Sequence, residues 1–170
     1  MEPARRGPRT ATIFGVLGRT YEGQDCSIAR TLEVVGERWT LLVLRECFLG
    51  TARFDDFQRR LGIARNVLQA RLARLVDEGV LERRPYQDRP RRCEYVLTSE
   101  GRDLLPVLLT LLEWGDRHRA PDGPPAAVAH RGCGGPVAAV LRCECCGSGV
   151  DDRTLEVVGA PELRPLAPSA

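Results

Sequence analysis

Three features of this 170-residue sequence predict a mainly α fold with a small β-wing, an α+β winged helix-turn-helix with a C-terminal zinc-ribbon-like appendage. The first is a short amphipathic helix at 53–61, a turn at Gly62-Ile63, and a longer amphipathic helix at 64–78. The second is a change of hydrophobic period after Gly79, where two strand-like runs, 80–84 and 93–97, flank a polar, arginine-rich tip. The third is a pair of knuckle motifs, His130-Arg131-Gly132-Cys133-Gly134 and Cys143-Glu144-Cys145-Cys146-Gly147.

Composition sets the frame for these elements. Hydrophobic residues make up 43% and charged residues 28%, which describes a globular chain with room for one ordinary core and a small addition. The formal charge of +2 is too small to point to nucleic acid by itself. Its distribution says more, because residues 83–92 hold Arg83, Arg84, Arg89, Arg91 and Arg92 against only Asp88. All 25 basic residues are arginine and none is lysine. No stretch approaches the ~20 apolar residues of a membrane helix, and residues 10–18 do not read as a signal peptide. The expected location is the cytoplasm, in association with the nucleoid. In that reducing setting the seven cysteines are expected as buried thiols, reactive thiols or metal ligands, and structural disulfides are not expected.

In chain order, residues 1–21 read as a flexible N-terminal arm. A helix starts at Asp25-Cys26-Ser27, carries Ile28, Leu32 and Val35 at helical spacing, and closes at Gly36. A second begins near Glu37, is apolar almost all round through Trp39-Thr40-Leu41-Leu42-Val43-Leu44, and ends before Gly50, so it belongs at the centre of a core. The third, at 53–61, buries Phe54, Phe57 and Leu61 and places Asp55 and Asp56 in its first turn, where the helix dipole favours negative charge. In the fourth, at 64–78, Leu68, Leu72, Leu75 and Val76 form one face. Ala64 stands where Ser, Thr or Asp would cap best. Residues 85–92 are predicted to be a hairpin tip. Thr98 then caps a last helix with Leu104, Leu105, Leu108, Leu111, Leu112 and Trp114 that reaches about His118 and kinks at Pro106. Its apolar surface exceeds what one small domain needs, which predicts a dimer seam. Residues 120–127, APDGPPAA, are a linker. Residues 128–158 form the zinc-ribbon-like element, with short strands at 137–142 and 154–158, and 159–170 a disordered tail.

The outer face of the fourth helix points to function. Asn66, Gln69, Ala70 and Ala73 lie opposite the apolar face, with Arg65, Arg71 and Arg74 on the flanks. Amide donors and acceptors, guanidinium forks and small residues suit a helix lying in a major groove, where base edges present a hydrogen-bond code. Arg65, Asn66 and Gln69 are expected at base edges, with Ala70 permitting close approach. Arg71 and Arg74 are expected at flanking phosphates, and Arg53 is expected among the DNA-binding residues. Arg89, Arg91 and Arg92 are expected to serve the wing, along the backbone or in the minor groove, as contacts that position without specifying.

Residues 26–118 resemble the HxlR-type family of bacterial winged helix-turn-helix regulators. The resemblance is carried by Cys26-Ser27-Ile28-Ala29, Gly36-Glu37-Arg38-Trp39-Thr40-Leu41-Leu42, Arg53-Phe54-Asp55-Asp56-Phe57, Val67-Leu68-Gln69-Ala70-Arg71-Leu72 and Glu94-Tyr95-Val96-Leu97-Thr98-Ser99-Glu100-Gly101. It implies a homodimer on double-stranded DNA with an inverted-repeat operator, usually repressing, with the first and last helices of the domain (22–119) building the dimer interface. Some members use a cysteine at the position of Cys26 as an oxidant or electrophile sensor. Ser27 stands where the family commonly has Pro, and Ala64 where it more usually has Ser.

Two chemistries remain. Cys26 opens a helix, where the dipole favours thiolate, and is a candidate redox sensor beside its plainer reading as a cap residue. His130, Cys133, Cys143 and Cys146 offer two ligand pairs, each followed by a glycine, that suit a closed Cys3His structural zinc site, the plainer reading being a degenerate ribbon or a set of free thiols; Cys145 is spare, a substitute ligand or an oxidation hazard. Nucleophile elbows, P-loops and dinucleotide fingerprints are absent, so an enzyme is not expected. The expected function is a homodimeric, sequence-specific DNA-binding repressor. Its rivals are a winged-helix protein-interaction module and a sensor regulator acting through zinc, Cys26 or a small-molecule effector.

Overall fold

The computed structural model describes residue 21, residues 26–156 and residue 158. The expected arm up to Thr20 and the expected tail from 159 lie outside the described residues. The chain divides into two compact units between Arg102 and Asp103. The first contains α1 (Ser27–Val35), α2 (Thr40–Phe48), α3 (Phe54–Leu61), α4 (Arg65–Asp77), β1 (Leu81–Asp88), β2 (Arg91–Leu97) and α5 (Ser99–Arg102). The second contains α6 (Leu105–Arg119) and the cysteine-bearing segment that follows. Among the described residues no helix is long and apolar enough to cross a membrane.

The core of the first unit forms where apolar positions recur at helical spacing. Val43 and Leu44 from α2, Phe57 from α3, and Leu68, Leu72 and Leu75 from α4 are fully buried, and Val80 and Leu81 join them from the start of the wing. α2 begins at Thr40, later than the expected start near Glu37, because residues 37–39 form a turn closed by Thr40 N–H to Glu37 O at 2.9 Å. Gly62 ends α3 in the left-handed region, at φ 62°, and its N–H donates to Gln58 O at 3.0 Å. A glycine adopts that conformation without Cβ strain. The chain then passes buried Ile63 straight into α4.

One buried charge ties several elements together. The Glu46 carboxylate, on the inner side of α2, accepts bonds from Arg45 on its own helix (2.7 Å), from Arg60 on α3, and from the Thr51 hydroxyl at 3.4 Å. Burial pushes the Glu46 carboxyl up, but hydrogen bonds from Arg60 and then Arg45, with their charges, outweigh it and hold its pKa below the ordinary value of 4.5. Thr51 N–H also donates to Glu46 O at 2.9 Å, so the strap leaving α2 is fixed to the same residue.

The wing differs from the sequence expectation in length. Residues 85–92 are predicted as a polar tip, yet pairing runs from Leu81↔Leu97 to Asp88↔Arg91, interrupted by a bulge between Pro85 and Gln87. A two-stranded ribbon has free edges, so the N–H that Pro85 lacks need not be supplied to a neighbour. The turn is reduced to Arg89 and Pro90, joined by a cis peptide bond. A single bridge, Arg53↔Glu94, and the bond from Tyr95 N–H to Ala52 O at 2.7 Å attach the strap between α2 and α3 to β2.

Thr98 caps α5 as expected. Its hydroxyl accepts from Gly101 N–H at 3.1 Å and donates to Gly79 O at 2.7 Å. The long kinked helix expected beyond it is two helices. α5 stops at Arg102, and α6 restarts at Leu105 with Pro106 in its first turn, where a missing N–H costs least. In the second unit, the predicted strand at 137–142 is absent and Val140 and Leu141 stand exposed; described residues 154–156 form no strand either. Two tight loops use the backbone bonds instead, each closed by one bridge, Ala129↔Pro136 and Arg142↔Gly149.

Two consequences can be measured. Arg60→Ala removes one partner of a buried carboxylate and should lower the unfolding free energy by about 1–3 kcal/mol at neutral pH. Because the folded-state pKa of Glu46 is depressed, that contribution is present above pH 4.5 and is lost as pH falls through the folded value. Denaturant titrations should therefore show the gap between wild type and Arg60→Ala closing in acid, and a gap independent of pH would rule the pairing out. A Cβ at Gly101 would lie 2.2 Å from Val80 O and 3.0 Å from Leu97 Cδ2. Gly101→Ala should therefore cost about 1–3 kcal/mol through forced backbone movement, read as a lowered thermal midpoint.

Candidate functional site

The outer face of α4 is built as its spacing predicts. Arg65, Asn66, Gln69, Ala70 and Ala73 are exposed, while Leu68, Leu72 and Leu75 hold the opposite face in the core. Ala64 adopts the extended N-cap conformation and no side chain caps the first turn. Arg65 is 70% exposed, lies 4.8 Å over the Phe54 ring and 3.9 Å from Asp55, and is thus steered by the first turn of α3.

The flanking arginines differ in availability. Arg74 pairs with Glu78 one turn on, at 2.7 Å, and stays half exposed. Arg71 is only 23% exposed and reaches Glu37, ahead of α2, at 3.3 Å. Of the three flanking arginines of α4, Arg71 is the most committed inward, although the sequence spacing treats it like Arg74.

Beside this face runs the wing. Arg65, Gln69, Ala73, Val76 and Asp77 of α4, with Phe54, Arg83 and Tyr95, line a groove of about 330 Å³. Arg83 lies 5.9 Å from the centre of the Tyr95 ring, and Arg84 pairs with Glu82. Arg53 sits 4.6 Å over Tyr86, so the N-cap residue of α3 is held against the bulged part of the hairpin. Arg89, Arg91 and Arg92 are exposed and form no ion pair among the described residues. Sequence reasoning does not find Arg83, Tyr86 and Tyr95 as members of this site. The alternation of β1 and β2 carries the signal, since Arg83 and Tyr95 are direct cross-strand partners.

The remaining candidates lie apart from this surface in function. Cys26 is the N-cap of α1, half-buried, with no side-chain cap bond, and its carbonyl accepts Arg30 N–H at 3.1 Å. Burial pushes the half-buried Cys47 thiol up to about 12, away from the thiolate form. Cys93 is half-buried within β2.

In the second unit, each predicted ligand pair sits in a closed loop. His130 Nδ1 and Cys133 Sγ are 3.4 Å apart, and Gly135 N–H donates to Cys133 Sγ at 3.4 Å. Hydrogen bonds from Ser148, and then from Cys143, lower the Cys146 pKa to about 7. Gly134 and Gly147, which follow the second ligand of each pair, adopt φ of 69° and 70°. Among the described residues no three His, Cys, Asp or Glu side chains converge on one point, so the structure shows two ligand pairs and not one assembled centre. α6 leaves Leu105, Val107, Leu111 and Trp114 exposed, and α1 leaves Ile28 and Leu32 exposed.

Comparison with known proteins bears on the first of these surfaces. Residues 34–122 match the model of the HxlR-like helix-turn-helix family. An HTH-type transcriptional regulator of Mycobacterium tuberculosis is 44% identical over 149 residues, 87% of this chain and 93% of its own length. Among solved structures, the transcription factor PA1607 is 36% identical with a TM-score of 0.72, covering 79% of this chain and 95% of that one. A second transcription factor, from Pseudomonas aeruginosa, is 42% identical with a TM-score of 0.59, covering 80% and 93%. The helix-turn-helix read from the spacing of α3 and α4, the wing that follows it and the span of the family match agree, and the chain belongs to the HxlR-like helix-turn-helix family of transcriptional regulators.

Proposed function

We propose that the protein is a homodimeric, sequence-specific DNA-binding repressor that places α4 in the major groove and lays its arginine wing along the adjoining backbone or minor groove. The observation that carries the reading is the juxtaposition of an exposed Arg65-Asn66-Gln69-Ala70 surface with a hairpin whose distal arginines form no ion pair among the described residues. Asn66 and Gln69 have the bidentate amide geometry that suits adenine, and Arg65 the fork that suits guanine. Arg74, half exposed on α4, and Arg53, held over Tyr86 of the wing, are the candidates for flanking phosphates, while Arg71 serves chiefly to brace α4. The first-turn amides of α4, uncapped by any side chain, supply further donors suited to a phosphate. A protein-docking role for the same face fits less well, because its centre is polar and its rim is rich in arginine. Dimerisation through α1 and α6 is supported by the large apolar side chains that both helices leave in solvent, and a two-fold dimer would read an inverted repeat.

The reading is tested on fragments recovered by genome-wide binding, measured by fluorescence anisotropy over a salt series. Gln69→Ala should cost about 1–3 kcal/mol on the selected operator and little on random DNA. Equal loss on both would remove Gln69 from base reading. Arg91→Ala should weaken all sequences alike and reduce the salt slope by about one. If neither wild type nor variant shows a salt-dependent shift, the protein-docking reading takes its place. For the dimer, Leu111→Glu with Trp114→Glu should convert the sedimenting species to monomer and weaken operator binding. A reporter under a promoter overlapping the site should rise when the protein is removed; a fall would make it an activator.

A further inference from the structure

The second unit poses a physical problem that the regulator reading leaves untouched. From Arg102 onward no described residue is buried, and Val128, Val137, Val140, Leu141 and Leu155 are all exposed. A segment of this size with so little core needs a covalent or metal cross-link to hold a defined shape. Its backbone is nonetheless well specified, and specified twice. In the first loop Val137 N–H donates to Val128 O (3.1 Å), His130 N–H to Gly135 O (2.8 Å) and Gly134 N–H to His130 O (2.8 Å). In the second, Val150 N–H donates to Leu141 O (3.1 Å), Cys143 N–H to Ser148 O (2.9 Å) and Gly147 N–H to Cys143 O (2.8 Å). Each of these donors and acceptors in one loop recurs in the other at the same interval along the chain. The interval maps His130 onto Cys143, Cys133 onto Cys146 and Gly134 onto Gly147.

The repeat also separates the ligands from the spare thiol. Cys145 falls at the position of Gly132, so it belongs to the rung of the loop that carries no ligand. A Cβ at Gly132 would come within 3.0 Å of His130 Cε1 and 3.4 Å of Nδ1, so the imidazole is folded across the loop toward Cys133. Two ligands of one tetrahedral zinc, with Zn–S of about 2.3 Å and Zn–N of about 2.0–2.1 Å, lie about 3.6 Å apart. His130 Nδ1 and Cys133 Sγ are 3.4 Å apart. A thiol–imidazole hydrogen bond alone would account for that pair, but not for a second pair of ligand-type residues on the same rungs of a second loop.

We propose that the C-terminal unit binds one zinc ion through His130 Nδ1 and the sulfurs of Cys133, Cys143 and Cys146, a closed Cys3His structural site that draws the two loops onto a shared metal. The four ligands leave no open position for chemistry, so the ion replaces the missing core. The segment joining the loops is already tied to α6 by the bond from Ala139 N–H to Glu113 Oε1 at 2.6 Å, so the clamp would brace that helix as well as itself.

The test uses the full chain, purified under reducing conditions from cells grown with zinc, with metal counted by atomic emission. One zinc per chain is expected, and its replacement by cobalt should give tetrahedral visible bands with strong thiolate charge transfer. Cys133→Ser, Cys143→Ser and Cys146→Ser should each lose the stoichiometric metal, whereas Cys145→Ser should keep it. Zinc well below one per chain in the wild type overturns the proposal, as does a cobalt spectrum without thiolate bands. So does loss of metal in Cys145→Ser equal to that in Cys146→Ser. The zinc count and the cobalt spectrum are both read on the wild-type chain, so they decide for or against the site even where a variant fails to fold.

Discussion

The buried carboxylate of Glu46 is the reference point from which both elements of the proposed DNA-facing surface are set. Arg60 carries the constraint to α3, and α3 passes it through Gly62 and Ile63 to the start of α4. Thr51 carries it the other way, into the strap whose Ala52 carbonyl and Arg53 bridge hold β2. A carboxylate removed from water is costly unless its lone pairs are filled, and here two guanidinium groups and a hydroxyl fill them. An apolar residue at this position would remove the directional bonds that join α2 to α3 and to the strap. The polar node thus fixes orientation, while the surrounding leucines supply most of the stabilisation.

Much of this is legible from pattern. Leu68, Leu72 and Leu75 recur at the helical period, so the inward face of α4 follows from spacing, and the outward face follows from what remains. Thr98 as a cap and Gly62 as a turn are equally local, each requiring only its near neighbours. The Glu46 node is not legible. Its partner Arg60 lies on another helix, and nothing in α2, otherwise mostly apolar, marks that glutamate as inward-facing. The length of the wing is hidden because polar, proline-bearing residues resemble a loop, whereas a two-stranded ribbon has no second neighbour for Pro85 to offend. The break before α6 resembles a kink for a related reason, since Pro106 is interior to the apolar pattern but near the start of the helix actually formed.

Three surface arginines of the first unit share one arrangement. Arg65, Arg74 and Arg84 lean on Asp55, Glu78 and Glu82 in solvent. Exposed pairs of this kind are worth about 0–1 kcal/mol. On the proposed DNA-binding reading, such weak carboxylate partners would give way to a phosphate with more charge and better geometry. Arg71 is the exception, being turned inward toward Glu37.

The bulge in the hairpin has a further consequence, for how the wing can change over evolutionary time. Tyr86 has no partner, so the alternation of β1 is reset there, and Asp88 faces Arg91 while Arg83 faces Tyr95. On β2 the alternation is unbroken, which sends Arg91 and Arg92 to opposite faces. Inserting one residue between Arg92 and Cys93 would exchange those faces, and inserting two would restore them. Wing length is therefore quantised in steps of two, and descendants of this chain that vary in reach should do so by pairs of residues or by moving the bulge.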